Sequence, residues 1–337
     1  MSTNKVSIKR IAELSGVSVA TVSRVINNNG RFSEETRRRV LQVMKENDYG
    51  MNYVAKSLRM NKSYTIGVLV PDISNAFFSA VVKKIETYLY TNGYSVIICN
   101  TDRNVQKETT YLRILEGKMV DGLLVISGDQ AFDPGIIQTC APVVYIDRKP
   151  RDGKNVAFIS SDHCCGGFLA TEALILRGCK HIALVTSHEN LYSSRERLAG
   201  YKKALFQYHL SYDPNFLIHV DGAHTTTKRA TEKMLDFLHN AQTCDGIFAI
   251  NDRLAIGAMQ AVKLIAAKIP EDVKIIGFDN DPISLYCSPP LSSVKQDVEQ
   301  LAYSSSSLLI RLMNGEKLTA ADAYHLLPVS IVHRGTT

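Results

Sequence analysis

The chain has 337 residues, a length compatible with two or three domains. Hydrophobic residues make up 45% of it, which is enough for buried cores, and the sequence has no run of about 18 apolar residues that would predict a membrane span. The net charge is +6, yet residues 1–62 alone carry 12 Lys and Arg against 5 Asp and Glu, a net charge of +7. The rest of the chain therefore sums to −1, and the basic N-terminal segment is the part expected to bind a polyanion.

The N-terminus starts polar and basic, without an apolar signal segment, which predicts a cytoplasmic protein. The seven cysteines are scattered and form no Cys-x-x-Cys pair, as expected of reduced thiols in that compartment. Cys164 and Cys165 adjoin His163, but they lack the spacing of metal ligands. We therefore expect no metal site and no cofactor.

Residues 7–29 predict two short helices joined by a tight turn. Ser7 can cap the first helix, and Gly16 supplies the turn, where a residue with a Cβ would often be strained. The apolar residues of the first helix are expected to share one face: Ile8, Ile11, Ala12 and Leu14. A third helix is predicted at about 33–46, capped by Ser33, with an inner face of Val40, Leu41 and Met44.

The second helix begins after Ser18, which can cap it. It is predicted to bury Val22, Val25 and Ile26. Its outer face carries small, polar and basic residues: Val19, Ala20, Thr21, Ser23 and Arg24. Such a face suits the major groove of DNA. An ordinary helical hairpin would show the same pattern, but the concentration of positive charge in this segment favours DNA.

From Thr65 onward, after a polar linker at 48–62, strands alternate with helices. Strands are predicted at 65–70, 94–99, 122–126, 143–146, 156–159, 181–185, 216–220, 246–250 and 274–277. Helices are predicted at 76–91, 164–177, 193–208, 226–240 and 252–266. Unbroken Val, Ile and Leu strands with interposed helices indicate an α/β body with parallel sheets covered on both faces, and the series is long enough for two sheets.

Polar residues recur directly after these strands, where open α/β sheets bind their ligands. They are Asp72, Asn75, Asp147, Arg148, Arg195, Arg197, Asn251, Asp252 and Asp279, with Phe77 and Phe78 beside the first two. Each could be a helix cap or turn residue, and that is the expectation for Asp72 and Asp252. Their recurrence nevertheless favours a shared polar cleft. Neutral polyols suit such a set, because carboxylates, amides and guanidinium groups pair with hydroxyls.

The chain as a whole resembles the LacI/GalR family of transcription regulators. Residues 17–27 are similar to the family's recognition helix almost residue by residue. The resemblance implies a helix-turn-helix DNA-binding domain at 1–48, a hinge at 49–62 and an effector-binding and dimerisation domain at 63–337. It implies that Val19, Ala20 and Arg24 read base edges. It also implies that four residues mainly hold phosphates: Ser18, Thr21, Ser23 and Asn27.

The family's hinge segment is matched by Tyr49, Asn52, Ala55, Ser57 and Leu58. The resemblance implies that this hinge folds into a helix only on operator DNA, in a dimer. Asn52 and Ala55 would then contact DNA, and Leu58 would wedge between the central base pairs of the minor groove. Met51 stands where the family usually has a proline, which is a departure at the start of the hinge helix.

The body resembles the two-lobed periplasmic sugar-binding fold. Lobe 1 is expected at about 63–161 and 293–324, and lobe 2 at about 162–292 and 325–337. The polar set fits the ribose-binding pattern best, and the implied contacts are Asn75, Phe77, Phe78, Asp147, Arg148, Arg197, Asn251, Asp279 and Gln296. In that interpretation the phenylalanines stack on the sugar ring and the polar groups bind its hydroxyls. The pair Asp147–Arg148 together with Gln296 distinguishes ribose from other ligands.

The resemblance implies a bacterial repressor of sugar-utilisation genes that acts on the nucleoid. It would bind near-palindromic double-stranded operator DNA as a homodimer and be released by D-ribose. No leucine heptad follows residues 329–337, so a tetramer is not predicted. The residues do not fix whether the ligand releases DNA or promotes DNA binding.

Several other functions share parts of this pattern. Family members bind other sugars or purines through the same positions, and a phosphorylated carrier protein could act as corepressor. A transport-type sugar-binding protein would explain the body but not the basic N-terminal segment. Catalysis is not expected, because the sequence has no phosphate loop, no Gly-x-Ser-x-Gly elbow and no metal-binding His pair. Accordingly, no catalytic residue is assigned.

Overall fold

The protein is described here by a computed structural model, which covers residues 6–26, 29–49, 62–126, 141–148, 156–187, 191–220, 226–240 and 243–337. The chain forms two compact units, Met1–Ser63 and Tyr64–Thr337. Within the ranges just given, no helix is both long and apolar enough to cross a membrane.

The N-terminal unit contains three helices: α1 (Ile8–Ser15), α2 (Val19–Ile26) and α3 (Glu34–Glu46). Its core is a small apolar cluster of Ile11, Ala12, Val22, Val25 and Val40. The expected caps are present, since Ser7 Oγ accepts a hydrogen bond from the Arg10 amide at 3.3 Å and Ser33 Oγ one from Thr36 at 3.1 Å. Gly16 ends α1 with a left-handed φ of 64°, a conformation that disfavours a side chain.

Two residues predicted to face inward in this unit are instead exposed. Leu14 is 42% exposed and Leu41 is 45% exposed. Ser15 takes the inner place near the end of α1, because it lies four residues after Ile11, and its hydroxyl donates to the Ile11 carbonyl at 2.6 Å. In α3 the corresponding place is taken by Val43, three residues after Val40.

The larger unit alternates strands and helices. Its strands are β1 (Thr65–Val70), β2 (Ser95–Asn100), β3 (Gly122–Ile126), β4 (Val143–Ile146), β5 (Ala157–Ser161), β6 (Ile182–Thr186), β7 (Leu217–His219), β8 (Gly246–Ala249), β9 (Lys274–Asp279), β10 (Ser292–Lys295), β11 (His325–Leu327) and β12 (Ser330–Val332). Its helices are α4 (Ala76–Thr91), α5 (Val105–Gly117), α6 (His163–Ile175), α7 (Tyr192–Gln207), α8 (Thr227–Asn240), α9 (Asp252–Leu264), α10 (Val298–Met313) and the short α11 (Ala320–Ala323).

These strands form two six-stranded sheets with the same strand order. The first sheet runs β2-β1-β3-β4-β5-β11 and defines lobe 1, and the second runs β7-β6-β8-β9-β10-β12 and defines lobe 2. All neighbours are parallel except β10 and β12, which pair antiparallel with Val294 opposite Ile331. Strands such as β3 and β6 are buried along their whole length, as expected of parallel sheets covered by helices on both faces.

The chain crosses between the lobes three times. The first crossover lies between β5 and α6. The second lies after β10, which pairs with β9 of lobe 2, and the third lies after β11, which pairs with β5 of lobe 1. The expected boundaries at 293 and 325 therefore fall a few residues too early. The three short strands β10 to β12 were not predicted individually.

Helices α6 and α7 pack against each other at backbone distance in lobe 2. A Cβ on Gly167 would collide with the carbonyl oxygen of Arg197, and a Cβ on Gly200 would collide with the carbonyl oxygen of Cys164. Both glycines are therefore required for the close approach of the two helices. The starts of these two helices, with His163 and Arg197, are fixed relative to each other as a result.

Candidate functional site

An open cleft lies between the two lobes at the carboxyl ends of their strands. Its empty volume is about 460 Å³, including the solvent at its mouth. The cleft is lined by Asn75, Phe77, Phe78, Arg103, Asp147, Ser187, Leu191, Ser193, Ser194, Arg197, Ile250, Asn251 and Asp279. Nine of these thirteen residues are polar or charged. A lining of this kind suits a small ligand rich in hydroxyl groups.

Two asparagines, one from each lobe, line the cleft and cap the helix that begins there. Asn75 caps α4, and its side-chain oxygen accepts from the Phe77 amide at 2.9 Å and from the Phe78 amide at 3.4 Å. Asn251 caps α9, and its oxygen accepts from the Leu254 amide at 2.9 Å. Since each oxygen is used within its own helix, the NH₂ group of each side chain remains as a donor for a ligand.

Two aromatic rings from the first turn of α4 form the apolar side of the cleft in lobe 1. The Phe77 and Phe78 ring centroids lie 5.5 Å apart, and their planes are inclined at 62°. Arg103 lies beyond them, with its guanidinium carbon 6.0 Å from the Phe78 ring centroid. Burial lowers the pKa of Arg103, against the opposing charge of Asp72.

Asp147 follows β4 and is the buried carboxylate on the lobe 1 side. Its backbone is left-handed, with a φ of 53°. Its Oδ1 accepts hydrogen bonds from Ser160 Oγ at 2.7 Å, from the Ser161 amide at 3.2 Å and from His163 Nε2 at 3.0 Å. Burial acts to raise the pKa of Asp147, but His163, Ser160 and the charge of Arg197 outweigh it and hold this pKa below its usual value. The residue is therefore a fixed acceptor, with Oδ2 left for a ligand.

Arg197 on α7 is the buried cation of lobe 2. Its Nε and Nη2 lie 3.3 Å and 3.2 Å from His163 Nδ1, and its Nη1 donates to the Ile250 carbonyl. Its guanidinium carbon lies 3.6 Å from the Phe278 ring centroid, so one flat face is covered. These contacts lock the guanidinium in a single orientation at the cleft.

Asp279 ends β9 with a φ of 101° and completes the lobe 2 wall. Its Oδ1 accepts from Gln296 Nε2 at 2.7 Å and lies 3.5 Å from Arg197 Nη2. Burial raises the pKa of Asp279 to about 7, although the charge of Arg197 opposes this. At neutral pH the protonated carboxyl, which can donate a hydrogen bond, and the carboxylate, which only accepts, are therefore both populated.

Two of the nine predicted effector contacts do not line this cleft. Arg148 is 2% exposed, and its Nη1 donates to both carboxylate oxygens of Glu108, at 3.0 Å and 2.9 Å. Gln296 is also 2% exposed and lies behind Asp279, and its Oε1 has no hydrogen-bond partner among the described residues. The other seven are brought together: Asn75, Phe77, Phe78, Asp147, Arg197, Asn251 and Asp279.

The remaining polar residues that follow strands have structural positions. Asp252 is fully buried, and its two oxygens accept from Ser293 Oγ and the Asp281 amide, at 2.6 Å and 2.7 Å. Asp72 accepts from Ser74 within its own turn and lies 3.6 Å from Arg253 of the opposite lobe. Arg195 is exposed on α7.

Sequence reasoning missed His163, which lies behind the cleft, and six of the thirteen lining residues: Arg103, Ser187, Leu191, Ser193, Ser194 and Ile250. His163 is 1% exposed and contacts both Asp147 and Arg197. Arg103 follows the predicted strand 94–99 by four residues, so the rule of polar residues after strands could have included it. The partners of His163 are distant in sequence, so no local pattern could have identified it.

The outer face of α2 carries the predicted base-reading residues. Val19 is 37% exposed, and Ala20 and Arg24 are exposed as well, whereas Thr21 and Ser23 are half-buried. Ser18 Oγ accepts from the Thr21 amide at 3.1 Å and so caps the helix. The Arg24 stem runs beside Gly30, where a Cβ would lie 3.3 Å from Arg24 Cδ. The predicted contacts Asn27, Asn52, Ala55 and Leu58 lie outside the described residues.

Comparison with known proteins agrees with both units. The profile of bacterial regulatory proteins of the lacI family matches residues 7–52, and that of the periplasmic binding protein-like domain matches residues 171–337. A ribose operon repressor of Halalkalibacterium halodurans is 35% identical over 332 residues, which are 98% of this chain and 97% of that protein. The chain belongs to the lacI family.

Other members of the lacI family are almost as similar to this repressor. The transcriptional repressor PurR of Aliivibrio fischeri is 34% identical over 307 residues, which are 90% of each chain. A crystal structure of the lac repressor dimer, bound to operator and the anti-inducer ONPF, superposes with a TM-score of 0.87 at 28% identity and covers 99% of both chains. The predicted family and fold are confirmed, and the chain is a DNA-binding transcriptional repressor.

Proposed function

We propose that the repressor controls sugar-utilisation genes and that its effector is D-ribose or a closely related pentose, bound in the cleft between the lobes. The observation that carries this proposal is the ring of fixed polar groups around the cleft. Asp147 offers a carboxylate oxygen, Arg197 a guanidinium edge, and Asn75 and Asn251 their NH₂ groups. Such alternating donors and acceptors match the hydroxyls of a small polyol.

The shape of the apolar wall supports a sugar rather than a flat base. The described aromatic lining comes from lobe 1 alone, and its two rings meet at 62°. A purine would be held best by rings or flat groups on both of its faces. A sugar ring needs apolar cover on one face and hydrogen bonds around its edge. Similarity to a ribose operon repressor agrees with this choice, and the near-equal similarity to PurR makes a purine the rival to test.

Arg148 and Gln296 take a supporting role in this proposal. Both lie directly behind cleft residues, since Arg148 adjoins Asp147 in the chain and Gln296 donates to Asp279. The unpaired oxygen of Gln296 would gain a partner if Asp279 were protonated or if a ligand hydroxyl reached it.

The mechanism follows from the position of the site. A ligand that contacts both lobes favours one arrangement of the lobes over others. In a homodimer on near-palindromic operator DNA, this preference couples ligand binding to DNA binding, and the coupling is reciprocal. We propose that ribose lowers operator affinity. The α2 residues Val19, Ala20 and Arg24 are proposed to read base edges. Ser18, Thr21 and Ser23 are proposed to contact phosphates.

Isothermal titration of the purified full chain tests the effector. D-ribose is compared with ribose 5-phosphate, glucose, fructose and guanine. Heat from ribose alone supports the proposal, whereas heat from guanine or another compound overturns the choice of ribose but keeps the repressor.

The second step measures operator affinity with and without the compound that binds. The DNA fragment for this assay is obtained by fragmenting genomic DNA and selecting the pieces that the full-length protein retains. Release by ribose supports the proposed sign, and tighter binding would reverse it. Sedimentation of the same sample tests the proposed homodimer.

A further inference from the structure

His163 bridges the two lobes beneath the cleft. It is the first residue of α6 and follows the first crossover, so it belongs to lobe 2. Its ring is 1% exposed. Nε2 lies 3.0 Å from Asp147 Oδ1 of lobe 1, and Nδ1 lies 3.3 Å from Arg197 Nε of lobe 2. The imidazole therefore touches one effector-binding residue from each lobe.

We propose that His163 is a positioning residue of the effector site, which joins Asp147 to Arg197 and sets the distance between the acceptor and the donor that a ligand meets. This inference rests on the proposed function, in which these two residues bind a pentose. The ring itself does not touch the ligand, because it does not line the cleft.

The partners of the ring determine its tautomer. A guanidinium has only donors, so Nδ1 must accept from Arg197 and carries no proton. The single ring proton then lies on Nε2 and is donated to Asp147. A doubly protonated ring would direct an N–H toward the arginine cation and lose that hydrogen bond. The working form of His163 is therefore the neutral Nε2–H imidazole.

The surroundings of the ring favour this neutral form. The charged groups facing it are Asp147 from the end of β4 and Arg197 from α7, with Asp162 next to it in the chain. The rings of Tyr192 and Phe278 lie 6.2 Å and 5.8 Å from it. Burial lowers the pKa of His163, Asp147 opposes this, and Arg197 lowers it further.

The bridge has two consequences for the ligand. First, Asp147 Oδ1 already accepts a hydrogen bond from His163, so only Oδ2 is left for the ligand. Second, the guanidinium of Arg197 cannot rotate, because His163, Ile250 and Phe278 contact three sides of it. Arg197 is held by residues of lobe 2, and Asp147 is also held by Ser160 of lobe 1, so the His163–Asp147 hydrogen bond is the contact of this set that fixes the distance between the two groups. A ligand that binds both thus selects the arrangement in which the His163 bridge is intact.

The test compares two substitutions in the full-length protein, titrated with D-ribose. His163→Gln supplies one donor and one acceptor and is expected to bind ribose within about threefold of the wild type. His163→Leu fills similar space without either and is expected to weaken binding at least about tenfold. The control is His181→Gln, at a ring that is 51% exposed near the start of β6, which should leave ribose affinity unchanged. Equal ribose affinity of the leucine variant and the wild type would overturn the inference.

A second readout does not depend on ribose. In protein labelled with ¹⁵N-histidine, the His163 signals are those missing from His163→Gln. They should report a neutral Nε2–H ring at neutral pH, because burial lowers the pKa of His163. A charged ring at neutral pH, or a proton on Nδ1, would overturn the proposed bridge. If the wild type gives no heat with ribose, the proposed effector fails, and this spectrum still decides the role of His163.

Discussion

Replacement of Arg197 by methionine removes the lobe 2 cation from the cleft while keeping most of the apolar stem. The structure indicates what is lost: the hydrogen bonds to His163 Nδ1 and to the Ile250 carbonyl, and the charge 3.5 Å from Asp279 Oδ1. His163 then loses the donor that fixes its tautomer. The Asp279 carboxyl, whose pKa burial already raises to about 7, loses the charge that opposes this rise and is expected to stay protonated at neutral pH.

The expected loss of affinity follows from one charge-assisted hydrogen bond to the ligand. Such bonds contribute about 1.5–3 kcal/mol, which corresponds to roughly 10- to 150-fold weaker binding of ribose. Loss of the buried Arg197 contacts also costs stability. Breaking a buried pair costs about 3–5 kcal/mol when the partner stays charged, and protonation of Asp279 should bring the cost toward the lower value.

Titration calorimetry with D-ribose and urea unfolding measure the two effects separately. Arg195→Met is the matched control, because Arg195 lies on the same helix and is exposed. It should bind ribose like the wild type and unfold at the same urea concentration. A folded Arg197→Met protein with wild-type ribose affinity would refute the assignment of this cleft as the effector site.

Three further predictions concern packing, pH and DNA. Gly200→Ala should lower the free energy of unfolding by about 1–3 kcal/mol, measured in urea, because its Cβ would meet the Cys164 carbonyl, whereas Gly117→Ala meets nothing within 4 Å and should not destabilise. Since burial raises the pKa of Asp279 from 3.8 to about 7, its contribution to stability is present below about pH 4 and is lost as the pH rises to about 7. Asp279→Asn should remove that decline from a pH series of urea midpoints, and an unchanged slope would contradict the shift. Arg24→Ala should weaken operator binding by about 1–3 kcal/mol in a gel-shift assay and leave ribose binding intact.

Much of the fold could be predicted because its signals are local. Most strands from β1 to β9 are rich in Val, Ile and Leu, and the caps Ser7 and Ser33 stand directly before their helices. Strands β10 to β12 are no shorter than β7, but no helix separates β11 from β12, and the strands with which they pair lie elsewhere in the chain. Their lobe membership is decided by tertiary pairing, which explains why the second and third crossovers were expected a few residues early.

The candidate site was predicted in its residue types better than in its geometry. The rule that ligands bind beyond strand ends found Asp147 and Asp279, because both lie within a residue of a strand end. The rule could not show that the Arg148 side chain pairs with Glu108 on α5, forty residues earlier in the chain, instead of lining the cleft. In the sequence, His163 is notable only as the neighbour of Cys164 and Cys165, which lack the spacing of metal ligands. Its partners become neighbours when α7 packs on α6, an event with no signature in the local sequence.

The glycine contact between α6 and α7 has a consequence for how this cleft could change over evolutionary time. Gly167 and Gly200 fix the spacing of the two helices through backbone atoms, which every side-chain substitution at the cleft leaves in place. Ser193 and Ser194 line the cleft at the start of α7, and their side chains take no part in this backbone contact. A descendant of this repressor could acquire a new ligand by exchanging these small side chains while inheriting the same supporting framework.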